Sequence, residues 1–456
     1  MPFKTPSREV KTLSKAKTGK TAAKERADTL IVNASELVTL AGGNEKPRTG
    51  KRMRELGIIK NGCVAIKDGK ILAVGKTADL RKNIRAENIV NASGKTVLPG
   101  FVDPHTHLVF AGSREDEFQM RVEGASYMDI LKAGGGILRT VRETRRAGVD
   151  ELLGFGLNTL DVMLRYGTTT VETKSGYGLT TRDELKILEV IKRLNQLHAA
   201  DVVPTFMGAH AIPAEYAASP EQYVNLVANE MIPAVAERKL AEFCDVFCEK
   251  SVFNLEQTRK ILVAAKNHGL GLKVHADEMS QLGGAELAAS LGAVSAEHLL
   301  FASDAGIKAM AEKGVIAVLL PAAAFSLMAG RFADARKMID YGVPVALGTD
   351  FNPSCWVENQ QLVIAFACYF MKMTPAEAIT AATINAAHAI GRAKEIGSLE
   401  VGKKADIVIL NVPNHVFLGY RFGVNLVDKV IKNGRTVVDE EAGTAEAAKL
   451  FSKELE

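Results

Sequence analysis

The sequence predicts an α/β fold, a (β/α)8 barrel carrying a small β-sandwich domain built from both ends of the chain. Three observations predict it. The central ~300 residues alternate short apolar runs with Ala/Leu/Glu/Lys-rich stretches, the pattern of repeated βα units around a parallel sheet. Both ends of the chain instead show β-rich runs separated by Asp-Gly or Asn-Gly pairs. Residues suited to metal or proton chemistry recur just after the central apolar runs, where a barrel places its catalytic groups.

The end segments come first. Residues 30–40 and 63–75 are apolar and β-rich, with Asp68-Gly69 as a hairpin turn; residues 405–410 and 427–439 repeat the pattern around Asn433-Gly434. A short sheet on either flank buries poorly alone, so the two are expected to join into one domain, 27–96 with 402–456. That leaves 97–401 for the barrel. Residues 1–26 hold eight basic and two acidic residues, a net +6, which leaves −2 on the remainder. This arm is Ser/Thr/Lys-rich with little to bury and reads as a solvated, disordered tail, not a nucleic-acid site.

Eight barrel strands are expected near 96–102, 169–173, 202–207, 245–248, 272–274, 294–296, 315–319 and 344–347. Just past them stand His105 and His107, Lys174, His210, Glu249, His275 with Glu278, His298, Pro321 and Asp350. The other four histidines, His198, His268, His388 and His415, fall in helices or peripheral loops.

Over 456 residues, 47% hydrophobic and 24% charged content excludes a disordered, collagen-like or disulfide-scaffold chain. No run reaches the ~18 apolar residues a membrane helix needs, and no apolar secretory segment stands at the N-terminus, so a cytoplasmic location and no membrane partner are expected. Five cysteines are an odd, low number, consistent with reduced thiols. Cys244 and Cys248 are expected to be packed in the interior.

The chemistry begins at PGFVDPHTH, 99–107. Two histidines two apart on extended chain point to one side and can reach one cation. His275 and Asp350, each directly after an apolar strand, complete a nitrogen-plus-carboxylate set that suits zinc or another first-row metal over calcium or magnesium. An open coordination position would make water nucleophilic near neutral pH.

These residues resemble the amidohydrolase superfamily, over nearly the whole chain apart from the first 26 residues. The more specific matches are DPHTHLVFAGSREDEF (103–118), KSGYGL (174–179), GAHAIP (208–213), HADE (275–278), AEHL (296–299), TDFNP (349–353), GSLEVGKKADIVIL (397–410) and YRFGVNLVDKVIKNGR (420–435). They are similar to the branch that opens the ring of 4-imidazolone-5-propanoate, giving N-formimidoyl-L-glutamate in histidine breakdown. The resemblance implies one divalent metal per chain, zinc or iron, held by His105, His107, His275 and Asp350, and a homodimer. It implies substrate contacts from Arg114, Tyr127, Tyr177, His210, Glu278 and Asn352, with Asp350, Glu278 and His298 as the candidates for proton transfer. Arg114 suits the propionate carboxylate, since a planar guanidinium grips a carboxylate bidentately. Its acidic neighbours Glu115, Asp116 and Glu117 offer the plainer alternative of surface ion pairing.

The family's usual Asn-Pro-Gly followed by Ser or Thr here reads Asn352-Pro353-Ser354-Cys355, either by substitution or by loss of one residue. Ser354 and Cys355 are carried over as substrate contacts with weaker hydrogen bonding from the thiol. Lys174 reads as structural or substrate-proximal, and a single-metal site is preferred to a lysine-bridged pair. A ring deaminase of the same architecture would share the metal residues but would have no propionate for Arg114 to anchor.

Overall fold

A computed structural model describes residues 24–125, 129–130 and 134–441. The remaining arm, residues 1–23, lies outside the described residues, as does Tyr127.

Residues from both ends build two sheets. One has four strands in the order Lys70–Lys76, Gly62–Lys67, Glu25–Ala34, Ile84–Asn91. Its strand Glu25–Ala34 begins inside the segment expected to be a tail, and Arg26 pairs there with Glu87 at 2.8 Å. The other sheet has six strands in the order Arg435–Asp439, Val427–Lys432, Ile407–Leu410, Thr96–Pro99, Glu36–Val38, Ile58–Ile59. Ile31, Leu37, Val64, Ile66, Val97, Ile407, Ile409 and Ile431 form the apolar layer of this sandwich. The two ends meet in one register, with Ile409 opposite Val97. Both predicted turns have positive φ at each central residue, 51° and 74° at Asp68-Gly69 and 48° and 78° at Asn433-Gly434, as a type I′ hairpin requires.

The stretch 96–102, expected as one barrel strand, is two strands in two sheets. Thr96–Pro99 belongs to the sandwich and Phe101–Asp103 to the barrel. Gly100 makes the transfer. Its N–H donates to Asp406 O at 2.9 Å while the next N–H, of Phe101, donates to Gly167 O at 3.0 Å. A Cβ at position 100 would lie 2.3 Å from Thr169 Oγ1, so the close approach requires glycine.

The barrel runs Phe101–Asp103, Thr168–Lys174, Asp201–Ala209, Phe243–Cys248, Gly271–Ala276, Ser295–His298, Ile316–Leu319, Val345–Leu347, each parallel to the next. It closes at its C-terminal end, where Thr106 bridges Phe351. There His107 N–H donates to Phe351 O at 2.8 Å, and Asp350 N–H donates to His105 O at 3.0 Å. Asp103 reinforces the seam, accepting from Thr349 Oγ1 at 2.6 Å and Thr349 N–H at 3.1 Å. Barrel closure therefore brings the first and last candidate ligands together. Amphipathic helices such as Thr181–Leu197 bury Ile187, Leu188, Ile191 and Leu194 against the sheet. Among the described residues no helix is long and apolar enough to cross a membrane.

Candidate active site

Four side chains from three regions converge at the C-terminal end of the barrel. His105 and His107 follow the first strand, His275 lies on the fifth, and Asp350 follows the eighth; all are buried. Asp350 Oδ1 lies 3.3 Å from His105 Nε2 and 3.5 Å from His107 Nε2. The rings of His105 and His275 are 4.6 Å apart, and those of His107 and His275 5.5 Å. His105 Nε2, His275 Nε2 and Asp350 Oδ1 have no hydrogen-bond partner although buried. Such orphaned atoms are costly unless something binds them.

Electrostatics agree. Burial holds His105 and His107 well below the usual imidazole range, so both are neutral and present lone pairs. Burial also pushes the Asp350 carboxyl up to about 8. His275 goes the other way, since against its burial the Asp245 carboxylate beside its Nδ1 raises it above the usual imidazole value. Three imidazoles and a carboxylate, with the facing atoms of His105, His275 and Asp350 unpartnered, fit a first-row divalent metal. His105, His107, His275 and Asp350 would hold it.

Proton-active groups stand beside this cluster. His298 lies on the sixth strand with its ring 5.0 Å from that of His275, and its Nδ1 is 3.6 Å from Glu278 Oε1. Burial pushes Glu278 up to about 7. Backbone strain aims these residues: Asp277, His298, Leu299 and Asp350 have φ of 49°, 69°, 62° and 52°, unusual for residues other than glycine. Asp277 is fixed at the start of the helix Gly284–Leu291, accepting from the N–H groups of Leu282, Gly283, Gly284 and Ala285. Glu249 accepts from Met279 N–H at 2.9 Å and Ser280 N–H at 3.2 Å, holding the same loop.

On the opposite wall, His210 stacks on His107 at 4.8 Å and 19°, and Tyr177 lies 5.2 Å from His210. Burial raises the Tyr177 phenol, which stays a neutral donor. The Tyr177 loop is pinned by Glu184, which accepts from Gly176, Gly178 and Leu179 N–H groups at 2.8–3.0 Å.

Arg114 is half-buried and held from two sides, Nε donating to Thr140 Oγ1 and Nη1 to Ser354 Oγ, both at 2.9 Å. Its acidic neighbours are otherwise engaged. Asp116 pairs with Arg139 at 2.6 Å, Glu115 accepts from Ser113, and Glu117 accepts from Gly136 N–H at 2.8 Å. Among the described residues no carboxylate pairs with Arg114. A cleft of about 670 Å³ lined by Arg114, Phe118, Phe325, Ser354 and Trp356 adjoins it.

The Amidohydrolase family profile matches residues 96–437, and one for an Imidazolonepropionase-like composite domain, bacteria, matches 62–83. An imidazolonepropionase of Alkaliphilus metalliredigens is 56% identical over 417 residues, 91% of this chain and 98% of that protein. One from Brevibacillus brevis is 57% identical over 415 residues, 90% and 98% of the two chains. The chain belongs to the imidazolonepropionase branch of the amidohydrolase family. Solved structures with the same fold include an adenosine deaminase from Xanthomonas campestris with bound zinc, with TM-score 0.68, 22% identity, and 94% and 99% of the chains covered. An atrazine chlorohydrolase from Arthrobacter aurescens complexed with zinc has TM-score 0.68 and 17% identity, covering 90% and 95%.

In this family member the departure at 352–355 is a closed turn. Asn352 and Cys355 exchange backbone hydrogen bonds at 3.0 and 3.1 Å, and Asn352 Oδ1 accepts from Ser354 N–H at 2.8 Å. Ser354 presents its hydroxyl to Arg114. The Cys355 thiol, carried over as a substrate contact, is instead buried against Thr349 O at 3.5 Å and Ser326 Oγ at 3.6 Å. Its weaker hydrogen bond therefore falls on Thr349 O.

Reading only past the strand ends found Lys174 but missed Glu172, Asp245, Lys273 and Glu297 within the strands. Lys174 Nζ lies 2.8 Å from Glu172, 3.0 Å from Asp245 and 3.1 Å from Glu297, and Lys273 lies 3.2 Å from Glu297. All five are fully buried beneath the histidines. The available signal was charge at period two in apolar runs, as in Glu172/Lys174 and Lys273/His275.

Gly176 supports a prediction. Its φ is 113°, and a Cβ would lie 2.8 Å from His210 Nδ1, which donates to Gly176 O at 3.2 Å. Gly176→Ala is expected to displace His210 and to destabilise the fold by about 1–3 kcal/mol. Thermal unfolding and KM, which should rise, check it.

Proposed function

We propose that this site opens the ring of 4-imidazolone-5-propanoate by hydrolysis, yielding N-formimidoyl-L-glutamate in histidine breakdown. The observation that carries the substrate assignment is Arg114, fixed by Thr140 and Ser354 yet paired with no carboxylate among the described residues. It binds the propionate. Tyr177 and His210 orient the ring against the histidine cluster, and the buried walls exclude bulk water.

A divalent cation held by His105, His107, His275 and Asp350 supplies Lewis acidity toward the carbonyl and the attacking water when bound. Asp350 accepts a proton from that water as its oxygen adds to the carbonyl carbon. Glu278, beside His298, delivers a proton to the ring nitrogen as the adjoining C–N bond breaks. His298 donates toward the developing oxyanion, while His210, whose one N–H is given to Gly176 O, presents its Nε2 lone pair to a ring N–H of the substrate. The nitrogen set and the zinc-bound fold relatives favour zinc.

The chain acts as a cytoplasmic homodimer in this reading. Phe325, Tyr369, Phe370, Tyr420 and Phe422 are exposed large apolar groups, with Phe325 and Phe370 in ring contact at 6.3 Å and Tyr369 and Phe422 at 5.5 Å. Exposed aromatic pairs of this kind call for cover. Light scattering is expected to give the mass of two chains, and Phe370→Glu that of one.

The function is tested by incubating metal-replete protein with 4-imidazolone-5-propanoate and following its ultraviolet absorbance together with product formation. Loss of absorbance with appearance of N-formimidoyl-L-glutamate is expected. An unchanged spectrum, with hydrolysis of an unrelated amide or amine, overturns the reading.

A further inference from the structure

The charged layer beneath the histidines repeats one arrangement twice. Asp245 Oδ2 lies 3.0 Å from Lys174 Nζ and 3.0 Å from His275 Nδ1, while Asp245 Oδ1 accepts from His275 N–H at 3.1 Å. Glu297 Oε2 lies 3.1 Å from Lys174 Nζ and also contacts His105 Nδ1. In each half a single carboxylate oxygen sits between the same ammonium and an imidazole Nδ1. The hydrogen on Nδ1 is thereby directed to the carboxylate, and Nε2 is left to face the cluster with its lone pair.

An ammonium has three donors, and Lys174 has three carboxylate neighbours, the third being Glu172 Oε1 at 2.8 Å. Glu297 is held from its other oxygen as well, by Lys273 Nζ at 3.2 Å and Ser295 Oγ at 2.9 Å. The layer contains two lysines and three acids, so its formal charge is −1, directly below the histidine cluster. His107 is outside this scheme. Its Nδ1 has no hydrogen-bond partner, and its ring is placed by stacking on His210.

We propose that Lys174 is a positioning residue that sets metal affinity by ordering Asp245 and Glu297, the carboxylates that orient His275 and His105. The inference rests on the reading of His105 and His275 as metal ligands. Glu172 anchors the ammonium without touching a histidine and serves as the internal control.

The test is zinc affinity, measured by competition with a chromogenic chelator, together with the visible spectrum of the cobalt-substituted protein. K174M/E172Q removes the ammonium while leaving the net buried charge unchanged; D245N and E297Q each neutralise one relay carboxylate at constant shape. Each of these three is expected to weaken zinc binding about 10–100-fold and to shift the cobalt spectrum, the usual cost of losing a partner that orients a ligand. E172Q alone is expected to stay close to wild type. At saturating metal KM should hold while kcat falls. Wild-type zinc affinity and an unchanged cobalt spectrum in K174M/E172Q, even with a lower melting temperature, would reduce Lys174 to a structural residue and overturn the proposal. Unchanged binding in D245N and E297Q would overturn it equally. A wild-type chain that takes up no zinc would instead overturn the ligand assignment beneath it.

Discussion

Asp350→Asn is expected to lower kcat by roughly 10³-fold with little change in KM, the range found when a positioned proton acceptor is removed. Asn keeps the shape of the side chain, and the turn hydrogen bond from Asn352 Nδ2 to Asp350 O at 2.7 Å uses only backbone, so the loop should persist. What disappears is the charge facing His105 Nε2 and His107 Nε2. Zinc content measured alongside kcat separates lost proton transfer from lost metal. In metal-free protein the same carboxyl also makes stability depend on pH. A carboxyl raised to about 8 stabilises the fold fully below its ordinary range near pH 4, and that contribution is lost as pH rises through about 8. Metal-free Asp350→Asn should therefore unfold with a weaker pH dependence across that window than wild type.

Arg114→Ala is expected to reduce kcat/KM by about 10²–10³-fold, mainly through KM, corresponding to the 2–5 kcal/mol typical of a truncated buried charge pair. Thr140 and Ser354 fix the guanidinium plane before substrate arrives, so its carboxylate grip is preorganised. Lysine at 114 restores charge but not the planar fork, and should recover only part of the loss. Steady-state kinetics with an analogue lacking the carboxylate provide the contrast: wild type and Arg114→Ala should then differ little. A ring deaminase would show that small difference with its natural substrate too.

The convergence of the four candidate ligands was legible because barrel geometry converts a local pattern into a spatial one. His-x-His after the first strand, His275 on the fifth and Asp350 after the eighth each follow an apolar run, and closure by Thr106 and Phe351 does the rest. The charged layer was not legible in the same way. Glu172, Lys174, Asp245, Lys273 and Glu297 lie on four strands, and their mutual compensation depends on parallel register over about a hundred residues. Nor does TVLPGFV announce that Gly100 passes the chain between two sheets, since a glycine within an apolar run reads equally well as a bulge. Cys355 was misplaced for a related reason. A motif assigns residues to a loop, but whether a side chain faces the ligand or the turn's interior depends on the backbone, here the Asn352–Cys355 bridge.

The most direct measurement is turnover of 4-imidazolone-5-propanoate before and after metal removal, with metal content determined on the same samples. Exhaustive chelation is expected to abolish ring opening, and one equivalent of zinc per chain to restore it. Full-speed turnover by demetallated protein would contradict the assignment of His105, His107, His275 and Asp350 as the ligands of a catalytic metal.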